Sequence, residues 1–148
     1  MNYISEFFHN YIVWTSVAAW LIAQFIKVAL GVSREKRFNF RWFVGTGGMP
    51  SSHAAGVSAL ATSIGVTYGF DSAIFAITLT FTSIVLFDAQ GVRLAAGRQA
   101  EIMNKMLDTI YMKKKLDEDK LKELIGHTPV EVLAGTALGI LVSLLLYK

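Results

Sequence analysis

The chain of 148 residues collects most of its apolar residues in long unbroken blocks, and these blocks limit the folds that it can adopt. A soluble amphipathic helix carries its apolar residues as a stripe along one face and not as a continuous run. A helix that crosses the hydrocarbon core of a bilayer needs roughly 20 predominantly apolar residues. Hydrophobic residues make up 53% of this chain. The pattern therefore predicts an all-α integral membrane protein.

Four segments have the character of such spans, at about residues 11–30, 54–70, 72–87 and 130–147. The second segment is rich in Ala, Gly, Ser and Thr, and a single turn around Asp71 separates it from the third. Because the second and third are short for a span, we expect one of them to be tilted or partly buried among its neighbours. We expect about four transmembrane helices in one bundle, so that residues 1–148 form a single membrane domain.

Basic residues indicate which way the chain is inserted. Loops 31–53 and 90–128 lie on the same side of a four-span protein, and they hold four and eight of the 14 Lys and Arg residues. Loops rich in Lys and Arg stay in the cytoplasm. We therefore expect both loops in the cytoplasm and both termini outside, in a bacterial cell membrane. Since topology accounts for the basic residues, the net charge of +3 does not indicate a nucleic-acid partner.

The second of these loops also contains a helical pattern. Ile102, Met106 and Ile110 recur every four residues, which predicts an amphipathic cytoplasmic helix that continues from the third span or lies at the interface. After a charged run, a second short helix is predicted to end at Gly126.

The run GTGGMPSSH, which ends at His53, directly precedes the second predicted span. A glycine-rich turn that leads into a helix presents free backbone N–H groups to phosphate, and Gly47 and Gly48 belong to this turn. Ser51 and Ser52 add hydroxyl donors, and His53 can exchange a proton near neutral pH. A structural alternative stays open, in which Ser51 caps the second helix and His53 merely follows it.

The run GHTPVE directly precedes the fourth predicted span. Thr128, Pro129 and Glu131 form a capping box with proline at the first helical position, so Glu131 has a structural explanation. His127 has none, because the helix would start equally well without it. Glu131 also lies one turn from His127 and can reach its imidazole. That contact would fix the tautomer and raise the nucleophilicity of the other ring nitrogen.

The predicted topology relates the two motifs. His53 and His127 both precede spans that enter the membrane from the same side, so both helix N-termini face the cytoplasm. The chain has three histidines. The third, His9, lies on the opposite side, and we interpret it as an interfacial residue.

Positive charge for an anionic substrate is ample near the motifs. Most of these residues are explained as loop charges that face anionic head groups. Lys27 differs because it lies inside an apolar span, where an ionisable residue is a functional candidate unless it snorkels to the interface. The residues concerned are Lys27, Arg34, Lys36, Arg37, Arg41, Arg93 and Arg98.

Small residues mark two of the predicted spans. Gly135 and Gly139 form a small-xxx-small pair in the fourth span, which favours close helix packing. Together with the small-residue second span, this pair leaves a homodimer open.

Three stretches of the sequence carry a family resemblance: GGMPSSH, DAQGVR…GRQAE…N and GHTPVEVLAGTALGI. Together they resemble the divergent branch of the type 2 phosphatidic acid phosphatase superfamily, which is also described as acid phosphatase/vanadium-dependent haloperoxidase-related. The resemblance extends over about residues 20–145. It implies a helical bundle that hydrolyses phosphate esters without a metal or another cofactor. The chain has no cysteine, which separately excludes thiolate metal sites.

The resemblance also implies roles for individual residues. The run PSSH matches the superfamily pattern P-S-G-H, and His127 and Glu131 match H-x-x-x-D. By this likeness His127 attacks phosphorus and Glu131 orients it, while His53 protonates the leaving oxygen. Ser51, Ser52 and the loop amides hold the phosphoryl oxygens.

The cationic part of the superfamily pattern is altered in this chain. Arg34 and Arg41 have the spacing of its first motif, but the motif lysine is missing. We therefore expect Arg41, with Lys27, Arg93 and Arg98 from elsewhere in the chain, to bind the phosphate.

These observations predict a membrane phosphatase that acts on a lipid or isoprenoid phosphate monoester or diphosphate. Its head group would be cleaved at the cytoplasmic interface, with membrane lipids around the tail. Whether the chain is an enzyme stays open on sequence alone. The alternative is a non-enzymatic protein that keeps the phosphate cradle to bind or transport anionic lipid. A purely structural subunit would leave the paired histidines unexplained.

Overall fold

The computed structural model describes residues 2–36, 48–91, 97, 99–106 and 127–147. Within these ranges the chain is helical, which confirms the expectation of a helical membrane protein for this part of the chain. The helices are α1 (Tyr3–Phe8), α2 (Tyr11–Glu35), α3 (Ser52–Tyr68), α4 (Ala73–Gln90) and α5 (Pro129–Leu146). Residues 99–106 are also helical.

Among the described residues, three helices are long and apolar enough to cross a membrane. They are Tyr11–Ser33 within α2, the whole of α4 and the whole of α5. Helix α2 continues to Glu35, past the predicted end at residue 30. Helix α3 occupies the place of the second predicted span and has 17 residues. Since α3 is not among these three helices, the fourth span stays a prediction.

Helix α3 is the centre of the bundle. It packs against α2, α4 and α5. Its buried residues are Ser52, Ala54, Ala55, Ser58, Ala59, Ala61, Ser63, Ile64 and Gly65. Neighbouring helices, not lipid, cover these side chains, and helix interfaces in membranes favour small residues for that reason. Of the two short predicted spans, α3 is the one that its neighbours enclose.

Helices α3 and α5 run parallel and touch at their backbones. A Cβ atom built on Gly135 would lie 2.3 Å from the carbonyl oxygen of Ser51, and one on Gly139 would lie 2.2 Å from that of Ala55. Only glycine permits this approach, because real Cβ contacts are never so short. The small-residue pair therefore packs within the chain, and a homodimer would need another surface.

Polar side chains link α3 to each neighbour. In the low-dielectric interior of a membrane bundle such hydrogen bonds hold helices in register. Ser63 and Ser143 hydroxyls are 2.8 Å apart between α3 and α5. The other links are Tyr11 to Thr67, Ser16 to the Gly56 carbonyl and Thr82 to the Val57 carbonyl.

The outer face of α4 carries large apolar side chains. Ile77, Ile84 and Phe87 are 70%, 63% and 77% exposed, whereas only Thr78, Thr82 and Ala89 of this helix are buried. Exposed apolar area of this extent suits contact with lipid and not with water. The surface therefore agrees with the membrane location inferred from the sequence.

The predicted amphipathic helix lies only partly within the described residues. In residues 99–106, Ile102, Met103 and Met106 are exposed, and Ala100 and Asn104 are buried. Ile110 and the predicted short helix that ends at Gly126 lie outside the described residues. The amphipathic helix therefore stays a prediction.

We expect Gly139→Ala to destabilise the bundle although alanine is the better helix former. The added Cβ would meet the Ala55 backbone, so the free energy of unfolding should fall by about 1–3 kcal/mol. Thermal unfolding of the purified protein in detergent measures this change.

Gly56→Ala is the matched control, because a Cβ at Gly56 finds its nearest neighbour, Trp20 Cβ, at an ordinary 3.6 Å. This variant should be neutral or gain up to about 1 kcal/mol from helix propensity. Equal effects of the two substitutions would contradict the close α3–α5 contact.

Candidate functional site

The start of α3 and the start of α5 meet at one end of the bundle. The ring centroids of His53 and His127 are 6.4 Å apart. The backbone N–H of Ser51 donates to the Glu131 carbonyl at 3.0 Å and so ties one motif to the other. Because α3 and α5 are parallel, two runs far apart in sequence form one polar cluster.

His127 is held firmly at the centre of this cluster. Its side chain is 2% exposed, and its Nδ1 lies 3.1 Å from Glu131 Oε2. A carboxylate only accepts hydrogen bonds, so Nδ1 carries the proton that it donates. The backbone N–H of His127 donates to the Ala89 carbonyl of α4 at 3.2 Å. In this tautomer Nε2 carries the lone pair of the ring.

Glu131 has two tasks at the start of α5. Its Oε2 also accepts from the Thr128 backbone N–H at 3.1 Å, while the Thr128 hydroxyl accepts from the Glu131 N–H at 3.3 Å. These bonds complete the capping box that the sequence predicted. The carboxylate is therefore both a helix cap and the partner of the imidazole.

The serines of the first motif are buried at the start of α3. Ser51 is fully buried and Ser52 is 3% exposed. The Ser51 hydroxyl accepts from the Ala54 N–H at 3.3 Å, as an N-cap does. Ser51 is thus the N-cap of α3, and its hydroxyl keeps a proton to donate. His53, one residue into α3, is exposed.

Lys27, in the C-terminal half of α2, lies at the same end of the bundle as the two motifs. It is 8% exposed, and its aliphatic stem lies against Gly48, where a Cβ would be 3.1 Å from Lys27 Cδ. Gly48 also has a φ of +88°, which favours glycine. The Lys27 ammonium group interacts electrostatically with Glu131. Lys27 is therefore a cation of the motif cluster and not an outward-facing lysine.

The other predicted phosphate-binding residues, Gly47, Arg41, Arg93 and Arg98, lie outside the described residues. The third histidine, His9, lies at the opposite end of the bundle, since α2 begins beside the C-terminal end of α3 through the Tyr11–Thr67 contact. Within the described ranges, no three His, Cys, Asp or Glu side chains form a group that could hold a metal ion.

The structure adds two features that the sequence analysis missed. One is the Ala89 carbonyl, which positions the backbone of His127. The other is an apolar groove of about 620 Å³ that begins at His53 and Asp88. No local pattern marks either feature. The first depends on how α4 packs beside the start of α5, and the second on how α2, α3 and α4 pack together.

Comparison with known proteins supports the sequence resemblance. The chain is similar to a protein of Bacillus subtilis (strain 168) described as the uncharacterized membrane protein YuiD. The two are 40% identical over an aligned length of 152 residues, gaps included. The alignment covers 95% of this chain and 96% of that protein. No solved structure matches the chain.

The model of one protein family matches residues 8–142, which include both histidine motifs and every helix from α2 onwards apart from the last residues of α5. That family is described as the Divergent PAP2 family. Motif resemblance, family match and membrane relative agree, and the chain belongs to the Divergent PAP2 family.

Proposed function

We propose that this protein is a membrane phosphatase that hydrolyses a lipid or isoprenoid phosphate through a phosphohistidine on His127. The observation that carries the proposal is the His127–Glu131 pair, 3.1 Å apart, with the His53 ring 6.4 Å from the His127 ring. A nucleophile, the group that orients it and an acid–base group then lie around one space. Membership of a PAP2-related family supports the same chemistry.

In the first step, the Nε2 lone pair of His127 attacks phosphorus. The bond between phosphorus and the oxygen of the lipid alcohol breaks, and His53 gives its proton to that oxygen. Glu131 stabilises the positive charge that develops on the imidazole, as the third member of a catalytic triad does. The products of this step are the free lipid alcohol and a phosphoryl group on His127.

In the second step, water attacks the phosphoryl group. His53, now deprotonated, takes a proton from the water, and the bond between phosphorus and Nε2 breaks. Inorganic phosphate leaves, and His127 and His53 return to their starting states. For a diphosphate substrate the departing group is a phosphate ester, and the roles of the residues are unchanged.

The surroundings favour an anion between the two histidines. The N-termini of α3 and α5 both lie at this end of the bundle, where helix dipoles are positive. Lys27, buried in the bundle, adds a basic side chain from α2. Fixed charges and dipoles of this kind act on a phosphoryl group both before and during the reaction.

The proposal places the site at the cytoplasmic face of the cell membrane. The basic loops that flank the motifs support this orientation by the positive-inside rule. Helix α3 acts as a short fourth span, which its three neighbours enclose. The substrate head group then meets the site at the interface, and its tail stays in the bilayer.

We expect His127→Ala to reduce phosphate release by at least about 10⁴-fold, because it removes the nucleophile. The measurement is release of phosphate by purified protein from a panel of lipid and isoprenoid phosphates, without added metal. His9→Ala is the control, since it removes a histidine from the opposite end and should keep full activity. An acid-labile, base-stable phosphoryl group should be trapped on the wild type and not on His127→Ala.

Release that persists in folded His127→Ala would contradict this mechanism. A wild type that is folded but releases nothing would favour the non-enzymatic alternative, a protein that binds or transports anionic lipid. In that case Lys27→Met should weaken binding of anionic lipid strongly, and His127→Ala only modestly. The basic side chain of Lys27 attracts the anion, whereas His127 forms no bond to phosphorus in this alternative.

We expect Glu131→Gln to separate the two tasks of this residue. An amide oxygen can still accept from the Thr128 N–H, so the helix cap should survive. The negative charge beside His127 is lost, and kcat should fall by about 10²–10⁴-fold. Steady-state kinetics and thermal unfolding of the same sample test both parts.

Thr128→Ala is the reciprocal variant. It removes the capping hydroxyl and should lower the free energy of unfolding by about 1 kcal/mol. The His127–Glu131 contact is retained, so kcat should change little. If Glu131→Gln behaved like Thr128→Ala, losing stability and keeping kcat, the carboxylate would have only a capping role.

A further inference from the structure

The groove that begins at His53 has walls from two helices and a floor from a third. Helix α3 forms the floor with Gly56 and Val57, α2 contributes Trp20, and α4 contributes Phe81 and Ile84. Its volume of about 620 Å³ is typical of a site for one small molecule. The lining is mainly apolar, and the polar groups His53 and Asp88 lie at the motif end.

Hydrogen bonds between the helices fix the shape of the groove. The Ser16 hydroxyl donates to the Gly56 carbonyl at 2.8 Å, which fixes α2 against the floor. The Thr82 hydroxyl donates to the Val57 carbonyl at 3.2 Å, which fixes α4 against it. Gly56 has no side chain, so nothing projects from this position of α3 into the space between α2 and α4.

The groove and the reacting atoms meet at His53. In the proposed reaction His53 protonates the oxygen that leaves phosphorus, and that oxygen belongs to the lipid alcohol. The first carbon of the alcohol must therefore lie beside His53. The groove is the apolar space that continues from this point. In the proposed reaction the phosphoryl group lies between His53 and His127, whose rings are 6.4 Å apart.

We propose that the groove binds the first part of one hydrocarbon chain of the lipid alcohol, which enters sideways from the bilayer between α2 and α4. This inference rests on the proposed function. The lining residues on α4 run from Phe81 to Asp88, a distance of about 10 Å along the helix. The protein thus recognises the chain next to the phosphate, and the remainder of the chain lies in lipid. Substrates should be selected by the shape of this first part and not by total chain length.

Ile84→Trp tests the groove, and Ile77→Trp is its matched control. Both isoleucines are on α4 and face outward, 63% and 70% exposed, but only Ile84 lines the groove. The substrates are dodecyl phosphate and methyl phosphate, whose alcohol has a single carbon. In Ile84→Trp we expect kcat/KM for dodecyl phosphate to fall about tenfold, the loss for roughly two methylene groups no longer buried. Hydrolysis of methyl phosphate should be unchanged, and Ile77→Trp should match the wild type with both compounds.

Crosslinking gives a readout that does not need turnover. Dodecyl phosphate with a photoreactive diazirine on its chain should label peptides that contain Val57 or Ile84 in the wild type and in Ile77→Trp. Labelling there should fall about tenfold in Ile84→Trp. Labels spread over all lipid-facing residues, Ile77 included, would show bulk lipid contact only and would overturn the proposal. Equal losses for both substrates in Ile84→Trp would also overturn it.

Different results would contradict the proposed function. A wild type that hydrolyses neither compound, or a His127→Ala variant that keeps activity, removes the phosphohistidine mechanism. If label still concentrates beside Val57 and Ile84 in that case, the groove binds a chain without catalysis. If the wild type is active and label does not concentrate there, the groove proposal alone is wrong.

Discussion

The backbone contact between α3 and α5 is the constraint on which the rest of this structure depends. It exists because Gly135 and Gly139 leave no side chain between the helices, so that carbonyl groups of α3 approach α5 directly. The two helices run parallel, and both begin at the same level. The Ser51 N–H then reaches the Glu131 carbonyl, and the His53 ring comes within 6.4 Å of the His127 ring. A larger residue at either glycine would separate the helices and with them the two motifs.

This arrangement has consequences for the composition of α3. A helix enclosed by three others meets protein on most sides, so it gains little from large apolar side chains. Alanine, serine and glycine let its neighbours approach, and interhelical bonds such as Ser63–Ser143 replace hydrogen bonds to water. The helices that face lipid show the opposite composition, as the exposed isoleucine and phenylalanine side chains of α4 illustrate. The small side chains of α3 thus suit its central position.

At the start of α5 one carboxylate both caps the helix and holds a histidine. Glu131 caps the helix through the Thr128 N–H, and the same oxygen holds His127 Nδ1. A group fixed by the backbone of a helix loses little freedom when it orients a neighbouring imidazole, which favours catalysis. The Ala89 carbonyl holds the backbone of His127 from α4. Helices α4 and α5 therefore both contribute to the position of one histidine.

The sequence by itself determined the helical membrane character, the approximate helix bounds, the capping box and the histidine motifs. These features are local, because apolar run length and contacts within one helical turn depend only on neighbouring residues. The Glu131–His127 contact belongs to this class, since four residues separate its partners. Only the tertiary structure decided that the glycine pair packs inside the chain, that Lys27 reaches the motif loop at Gly48, and that a groove begins at His53. Those features join residues far apart in sequence, and their distances follow from how the helices pack against α3.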